Sequence, residues 1–340
     1  MLTRATVVLR GRWRANVTPM KVLVTGAGAL LGQGILRSLA ESALAPTIVA
    51  VDPSPLAAGL YWTPYRHLIP FANDPGYIDA IDALLEKERP DAVMVGTDVE
   101  LHAFARHRTE LERRHGTHVI VSDPDVIAIA DDKYRTYEFM RDHGFSPPES
   151  RLPGQENELV ERFGFPLVVK PRVGARSIGF GQVRSRDELT RALASADGMV
   201  VQECVATDAD EFTAGTLTFD GVCAASIVMQ RDLRDGNTIR AFVEAFPELN
   251  VQVRAMATAL GSYGPANFQF RVEAGRARVF EINGRFSGTT PLRMRAGFNE
   301  VEMVLRKVVL GERIVQPEIR PMTILRHFSE TVVLPDEVLC

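Results

Sequence analysis

The chain has 340 residues, 46% of them hydrophobic and 24% charged, with 39 Lys and Arg against 43 Asp and Glu for a formal net charge of −4. That length supports two or three domains with real cores, and a near-balanced charge with no Lys/Arg stripe argues against a general nucleic-acid binder. No apolar run reaches the ~18–20 residues needed to cross a bilayer, so no membrane partner is expected.

The three cysteines, Cys204, Cys223 and Cys340, are widely separated and form no CxxC or Cys/His cluster, which fits a reducing cytoplasm better than an oxidising compartment. Residues 1–19 carry Arg4, Arg10, Arg12 and Arg14 without an acid, and their apolar stretch is too short for a signal-peptide core. They are expected to form a disordered or extra arm, with an organellar presequence as the less favoured alternative.

Lys21 to Gly32 is an apolar strand running into a glycine turn, followed by a helix over Gln33 to Ser42 and a second strand over Thr47 to Asp52. A helix over Tyr77 to Glu88, a strand over Ala92 to Val95, a helix over Glu100 to His115 and a strand over His118 to Val121 continue the alternation. The pattern predicts a parallel, doubly wound α/β domain over residues 20–122. Turn and cap residues cluster at Ser122 to Asp125, and a helix is expected over Asp132 to His143. Short strands at Pro166 to Pro171 and Met199 to Glu203 flank a helix over Asp187 to Ser195. Longer strands follow at Glu211 to Thr218, Val222 to Gln230, Ala266 to Val272 and Ala277 to Asn283, the last two joined at Gly275. The second half therefore reads as α+β, in two parts over residues 123–205 and 206–340.

Gly26, Gly28 and Gly32 open a helix after a strand, so their amides could meet a phosphate, with Asp52 placed for a ribose hydroxyl. The plainer reading is a tight turn with close packing, and both remain open from the sequence. More informative is Phe268-Gln-Phe270 followed by Phe280-Glu-Ile-Asn-Gly-Arg-Phe-Ser-Gly288. On a strand Glu281 and Asn283 share a face, Gln269 can lie opposite, and Phe268, Phe270, Phe280 and Ile282 alternate around them. One carboxylate and two amides suit Mg²⁺, which keeps waters and shares itself with phosphates; a solvated polar face is the alternative. Arg285 follows in a loop whose Ser287-Gly-Thr-Thr290 supplies hydroxyls and amides for an anion. Arg293 and Arg295 are candidates for a substrate carboxylate or for the surface.

Lys170 ends an apolar strand and needs an anionic partner if buried, for which a phosphate would serve. The stretch behind it, with Gly174, Ser177, Gly179 and Gly181, has the composition of a loop that closes over phosphates. Lys133 could add a second positive contact. Val200 to Glu203 is an apolar strand whose backbone could pair with an adenine, and Glu211 could hold ribose hydroxyls.

In this order the pieces resemble the ATP-grasp superfamily, and within it a synthetase half of the carbamoyl-phosphate synthetase large subunit. Asn267-Phe-Gln-Phe270, Glu281-Ile-Asn-Gly-Arg-Phe-Ser287 and Ala296-Gly-Phe298 look like that family's N-x-Q-F, E-x-N-P-R-x-S and small-Gly-aromatic segments, with Gly284 in place of the proline. The resemblance, over Met20 to Leu310, implies a Rossmann-like pre-ATP-grasp domain followed by an ATP-grasp fold. It implies ATP with Mg²⁺, or Mn²⁺ in its place, as cofactors. Gln269, Glu281 and Asn283 would bind the metal and Arg285 would touch the transferred phosphoryl group, with Lys170 beside it. Lys133, Lys170, Gly174, Ser177, Gly179, Gln202, Glu203, Cys204, Val205 and Glu211 would bind the nucleotide.

The activity so implied is that of a ligase: a carboxylate is phosphorylated to an acyl phosphate, which an amine attacks to give an amide or peptide-like bond. The implied partners are a small carboxylate and a small amine, with a homodimer suggested by the family. Thr97, Asp98, Arg285, Ser287 and Arg293 are the candidates for the substrate pocket. A single grasp unit and no glutaminase segment make carbamoyl phosphate itself an unexpected product. Two other readings stay open: an NAD(P)-dependent oxidoreductase on the glycine turn, and an ATP-binding protein without catalysis.

Overall fold

The computed structural model describes residues 19–174, 179–194, 197–205 and 211–339. The first layer runs β1 (Lys21–Val24), α1 (Leu30–Ala40), β2 (Thr47–Asp52), β3 (Tyr65–Leu68), α2 (Tyr77–Glu88), β4 (Ala92–Met94), α3 (Asp98–His115) and β5 (His118–Ile120). The strands form one sheet in the order β3-β2-β1-β4-β5, all neighbours parallel. Val22, Leu23, Val24, Val49, Ala50, Val51, Val93 and Met94 are fully buried, as strands covered by helices on both faces must be. The edge strand β3 was not expected. Tyr65-Arg-His-Leu68 has no apolar alternation, and it is pairing with β2, from Val49 with Tyr65 to Asp52 with Leu68, that makes it a strand.

The glycine turn packs rather than cradles. A Cβ on Gly32 would lie 2.0 Å from the Gly26 carbonyl oxygen, and one on Gly26, where φ is +57°, would lie 2.3 Å from Thr97. Amides of the turn are spent inside the domain: Ala27 on Val51, Gly28 on the Asp52 carboxylate at 2.8 Å, Ala29 on Gly26 and Gly32 on Gly96. Asp52 also accepts from the Ser54 amide. The acid and the amides that a dinucleotide would use are therefore already hydrogen-bonded within the domain. Gly32→Ala is expected to destabilise the chain by about 3 kcal/mol, because the new methyl group meets the Thr25–Gly26 backbone; a drop in denaturation midpoint at unchanged slope is the check.

Where a turn was expected after Ser122, Pro124 instead starts a helix, α4 (Pro124–Asp131). It ends at Asp132, whose side chain accepts from the Tyr134 amide and caps α5 (Lys133–Asp142). Next come β6 (Ser150–Arg151), α6 (Asn157–Phe163), β7 (Leu167–Pro171), β8 (Gly181–Val183), α7 (Arg186–Ala194) and β9 (Met199–Glu203), whose strands make a four-stranded antiparallel sheet ordered β6-β9-β7-β8.

The last part contains β10 (Glu211–Phe219), β11 (Val222–Arg234), β12 (Asn237–Val243), α8 (Pro247–Leu260), β13 (Gly264–Glu273), β14 (Arg276–Asn283), α9 (Thr290–Arg295), α10 (Glu300–Val308) and β15 (Met322–Leu325). Its antiparallel sheet is ordered β14-β13-β10-β11-β12-β15. Every residue of β10 is buried, because α8 and the α4–α5 side cover one face and the parallel domain with α9 and α10 covers the other. β11 runs four residues beyond its expected end. Asp235 and Gly236, with φ of 50° and 71°, turn it into β12 as a two-residue hairpin. Among the described residues no helix is long and apolar enough to cross a membrane.

Candidate active site

A β-bulge sets the site. On β13 and β14, Asn267 pairs with Asn283 and Gln269 with Glu281, but the next pair is Phe270 with Val279. Phe280 is thus an extra residue, and the bulge turns it away from the core. This corrects the alternation expected from the sequence: Phe268, Phe270 and Ile282 are fully buried with Val279 at 1% exposure, whereas Phe280 is only half-buried and lines a cavity. Gln269, Glu281 and Asn283 meet as expected. Glu281 Oε1 accepts from Gln269 Nε2 at 2.8 Å and from Asn283 Nδ2 at 3.3 Å. The amide oxygens receive Arg231 Nη2 at 2.6 Å and Arg285 Nη2 at 2.8 Å. Each keeps a second lone pair, so one carboxylate and two amides present the hard, oxygen-rich set that Mg²⁺ or Mn²⁺ takes. No cluster of three His, Cys, Asp or Glu exists among the described residues.

Two lysines face this ledge. Lys170, 6% exposed, donates to Gln202 Oε1 at 2.9 Å and to the Phe280 carbonyl at 3.3 Å, with the Phe280 ring centroid at 5.1 Å. Burial pushes its pKa down to about 7, against the pull of the Glu281 charge. Among the described residues no carboxylate lies within ion-pair distance, so the anionic partner that the sequence demanded is left to a ligand. Gln202 in turn donates to Ser150 Oγ and so fixes the lysine's direction. Lys133, at the first position of α5, donates to the Gly174 carbonyl at 2.7 Å. Gly174 and Gly179 both have positive φ, which glycine adopts at little cost, while Ser177 lies outside the described residues.

Lys133, Lys170, Gly174, Gln202, Glu203, Cys204, Val205, Glu211, Gln269 and Glu281 all line a cavity of about 890 Å³. Its far end is more constrained than expected. Glu203 spends its carboxylate on Arg278 at 2.7 Å and on the Glu149 amide, which ties β9 to β14 and β6. Glu211 accepts from Arg231 at 2.8 Å and from Arg271 at 3.1 Å. Arg231, 6% exposed and joining Glu211 to Gln269, was missed by the sequence reading. Its signal was an arginine two residues past the apolar run Ile227 to Met229, just past the expected strand end.

A second cavity of about 560 Å³ opens on the other side of Gln269 and Glu281 and shares Lys133, Gly174 and Arg231 with the first. Thr97, Asp98, Arg285 and Ser287 line it, and Arg285 is ion-paired to Asp98. His102, paired with Asp131 at 3.1 Å, and Arg326 line it as well and were not anticipated. Arg293 is placed elsewhere, which corrects its expected role. It is fully buried, bonded to Glu300 at 2.8 Å, Asn267 Oδ1 at 2.9 Å and Ser287 Oγ at 2.8 Å, over Gly215, where a Cβ would collide with it. Arg295 pairs with Glu41 at the surface. Arg293→Ala leaves Glu300 buried without its cation and is expected to cost about 3–5 kcal/mol of unfolding free energy, read by chemical denaturation.

Comparisons with known proteins agree with this architecture. Three family models match in succession: PylC-like, N-terminal domain, over residues 22–120; D-ala D-ala ligase C-terminus, over 135–242; and ATP-grasp in the biosynthetic pathway with Ter operon, over 196–330. The carbamoyl phosphate synthase large chain of Methanosarcina barkeri is 24% identical over 339 residues, covering 88% of this chain and 30% of that protein. The chain thus spans about a third of the length of this curated relative. Among solved structures, an ADP complex of N5-carboxyaminoimidazole ribonucleotide synthetase superposes with a TM-score of 0.72 at 14% identity, covering 92% of this chain and 82% of that one. The biotin carboxylase domain of Hydrogenobacter thermophilus 2-oxoglutarate carboxylase, solved with MgADP and bicarbonate, gives 0.68 at 20% identity, covering 88% and 72%. By these matches the chain carries an ATP-grasp domain, with the ATP-grasp model over residues 196–330, and its fold is that of the ATP-grasp enzymes it superposes on.

Proposed function

We propose that this chain is an ATP- and Mg²⁺-dependent ligase that phosphorylates a small carboxylate and passes the acyl group to an amine. The observation that carries the reading is the ledge of Gln269, Glu281 and Asn283 between two cavities, faced by Lys133 and by a Lys170 that has no carboxylate partner among the described residues. The larger cavity would take the nucleotide, with its base toward Glu203, Cys204 and Val205, its ribose at Glu211 and its phosphates at Lys133, Lys170 and Gly174. A divalent ion on Gln269, Glu281 and Asn283 would neutralise charge on the phosphates.

The smaller cavity would hold the acid, with a carboxylate oxygen directed at the γ-phosphorus. That oxygen forms the new P–O bond as the bond to the β-phosphate bridge breaks, and ADP leaves with the electron pair. Arg285 would balance charge on the phosphoryl oxygens in transit, and Asp98 orients it. The amine nitrogen then bonds to the acyl carbon, phosphate departs and the nitrogen loses a proton. Most of the rate in such steps comes from positioning and fixed charge.

The test supplies the chain with MgATP, a panel of small carboxylates and hydroxylamine, and reads ADP together with hydroxamate. Hydroxamate formation that requires Glu281 supports the ligase. MgADP binding with ATP left intact across the panel would instead favour a nucleotide-binding protein without catalysis, and NADH binding without MgADP binding would favour an oxidoreductase.

A further inference from the structure

Arg326 is a cation of the smaller cavity that the mechanism above does not use. It follows β15, on the last segment of the described chain, and lines the smaller cavity but not the larger. Its Nη1 donates to the Thr238 carbonyl at 3.0 Å and its Nη2 to the Gly288 carbonyl. Of the other ionic side chains lining this cavity, Asp98 is paired with Arg285 and Arg231 with Glu211, while Asp131 is hydrogen-bonded to His102 and Lys133 to the Gly174 carbonyl. Among the described residues Arg326 has no carboxylate within ion-pair distance. Burial and the neighbouring Arg37 both lower its pKa, so its surroundings oppose its charge. Two carbonyls satisfy two of a guanidinium's five donors and none of its charge. A partly buried cation left in this state is costly unless an anion arrives.

Arg326 and Arg285 also grip the same loop. Arg285 donates to the Phe286 carbonyl and Arg326 to the Gly288 carbonyl, two residues on. The two guanidinium groups therefore hold carbonyls of one loop at the cavity, Arg285 paired with Asp98 and bonded to Asn283 of the metal ledge, Arg326 with no acidic partner among the described residues. A cavity of about 560 Å³ is far larger than a single carboxyl group needs.

Resting on the ligase reading, we propose that the acid substrate is at least dianionic, with one carboxylate presented to Arg285 for phosphorylation and a second anionic group, carboxylate or phosphate, bound by Arg326. Such a site selects by leaving an arginine unpaired when the second anion is missing, a stronger discriminator than apolar fit.

The test compares acids of equal length in the hydroxamate assay with MgATP: succinate, glutarate and adipate against butyrate, valerate and hexanoate, and 3-phosphoglycerate against glycerate. The expected result is a kcat/KM ratio of about tenfold or more in favour of the better dianion, and whether the dicarboxylates or the phosphoacid win identifies the second group. In Arg326→Gln that ratio should collapse toward one, while Arg326→Lys, which keeps the charge and loses the fork, should retain part of it. MgADP binding at the other cavity shows that the variants are folded. A ratio near one in the native chain overturns the proposal, as does a ratio that Arg326→Gln leaves unchanged, since a mere clamp on the Gly288 loop would lower both classes alike. So does the absence of any dianion-specific rise in melting temperature of the MgADP-loaded chain at millimolar acid. Loss of MgADP binding in the native chain would instead sink the ligase reading itself.

Discussion

Glu281→Ala is expected to reduce ATP-dependent acyl transfer by at least about 10³-fold, a loss of some 4 kcal/mol in transition-state stabilisation. The carboxylate is the one full negative charge on the ledge, and both neighbouring amides point their N–H groups at it. Its removal strips the divalent ion of its charged ligand and frees the amides to turn. The effect should appear in kcat and in Mg²⁺ dependence together, measured as ADP release over a magnesium titration. Glu281→Gln keeps the shape and should fare little better, because a third amide supplies no charge. Turnover within about twofold of the native value in either variant would place the metal elsewhere.

Lys170→Met should lower kcat/KM for ATP by about 10²–10³-fold, the scale of losing one buried charged contact to a phosphate in transit. It should also remove a pH dependence. With no ligand the folded chain holds this lysine at a pKa of about 7, against 10.5 for an ordinary lysine. Between those values the unfolded chain binds more protons than the folded one, so stability rises with pH through this window. Below about 7 the folded chain must carry the buried charge and bears the full penalty. Nucleotide phosphates favour the ammonium form. Binding above pH 7 must therefore take up a proton, and MgADP affinity should fall as pH rises from neutral. Calorimetric titration in two buffers of different ionisation enthalpy measures the uptake. Lys170→Met should bind more weakly, without that uptake, and should be more stable than the native chain below pH 7.

Much of this site was legible in the sequence because period-two alternation fixes which side chains share a sheet face. Gln269, Glu281 and Asn283 meet for that reason. The bulge at Phe280 was not legible, since one inserted residue leaves the local pattern intact and shows only in register with the partner strand. The parallel domain followed from its apolar strands, whereas β3 did not, because its residues carry no pattern of their own. The β11–β12 hairpin had a local signal in Asp235-Gly236 that was not used. Arg293 was misplaced for a different reason. An arginine beside a functional loop suggests a ligand contact, and nothing local shows that Glu300, one helix later, is buried against it. Arg231 and Arg326 depend on strands brought together from far apart, and their pairing or lack of it exists only in three dimensions.

The Asp235-Gly236 hairpin has one consequence for how the two cavities communicate. Its arms supply Leu233 and Arg240 to the larger cavity and Asn237 and Thr238 to the smaller, while Gly236 touches both. A displacement of this tip that fits it to one occupant reshapes the wall seen by the other. The two ligands are then thermodynamically linked, and whatever factor the nucleotide gains from a seated acid, the acid must gain from a seated nucleotide.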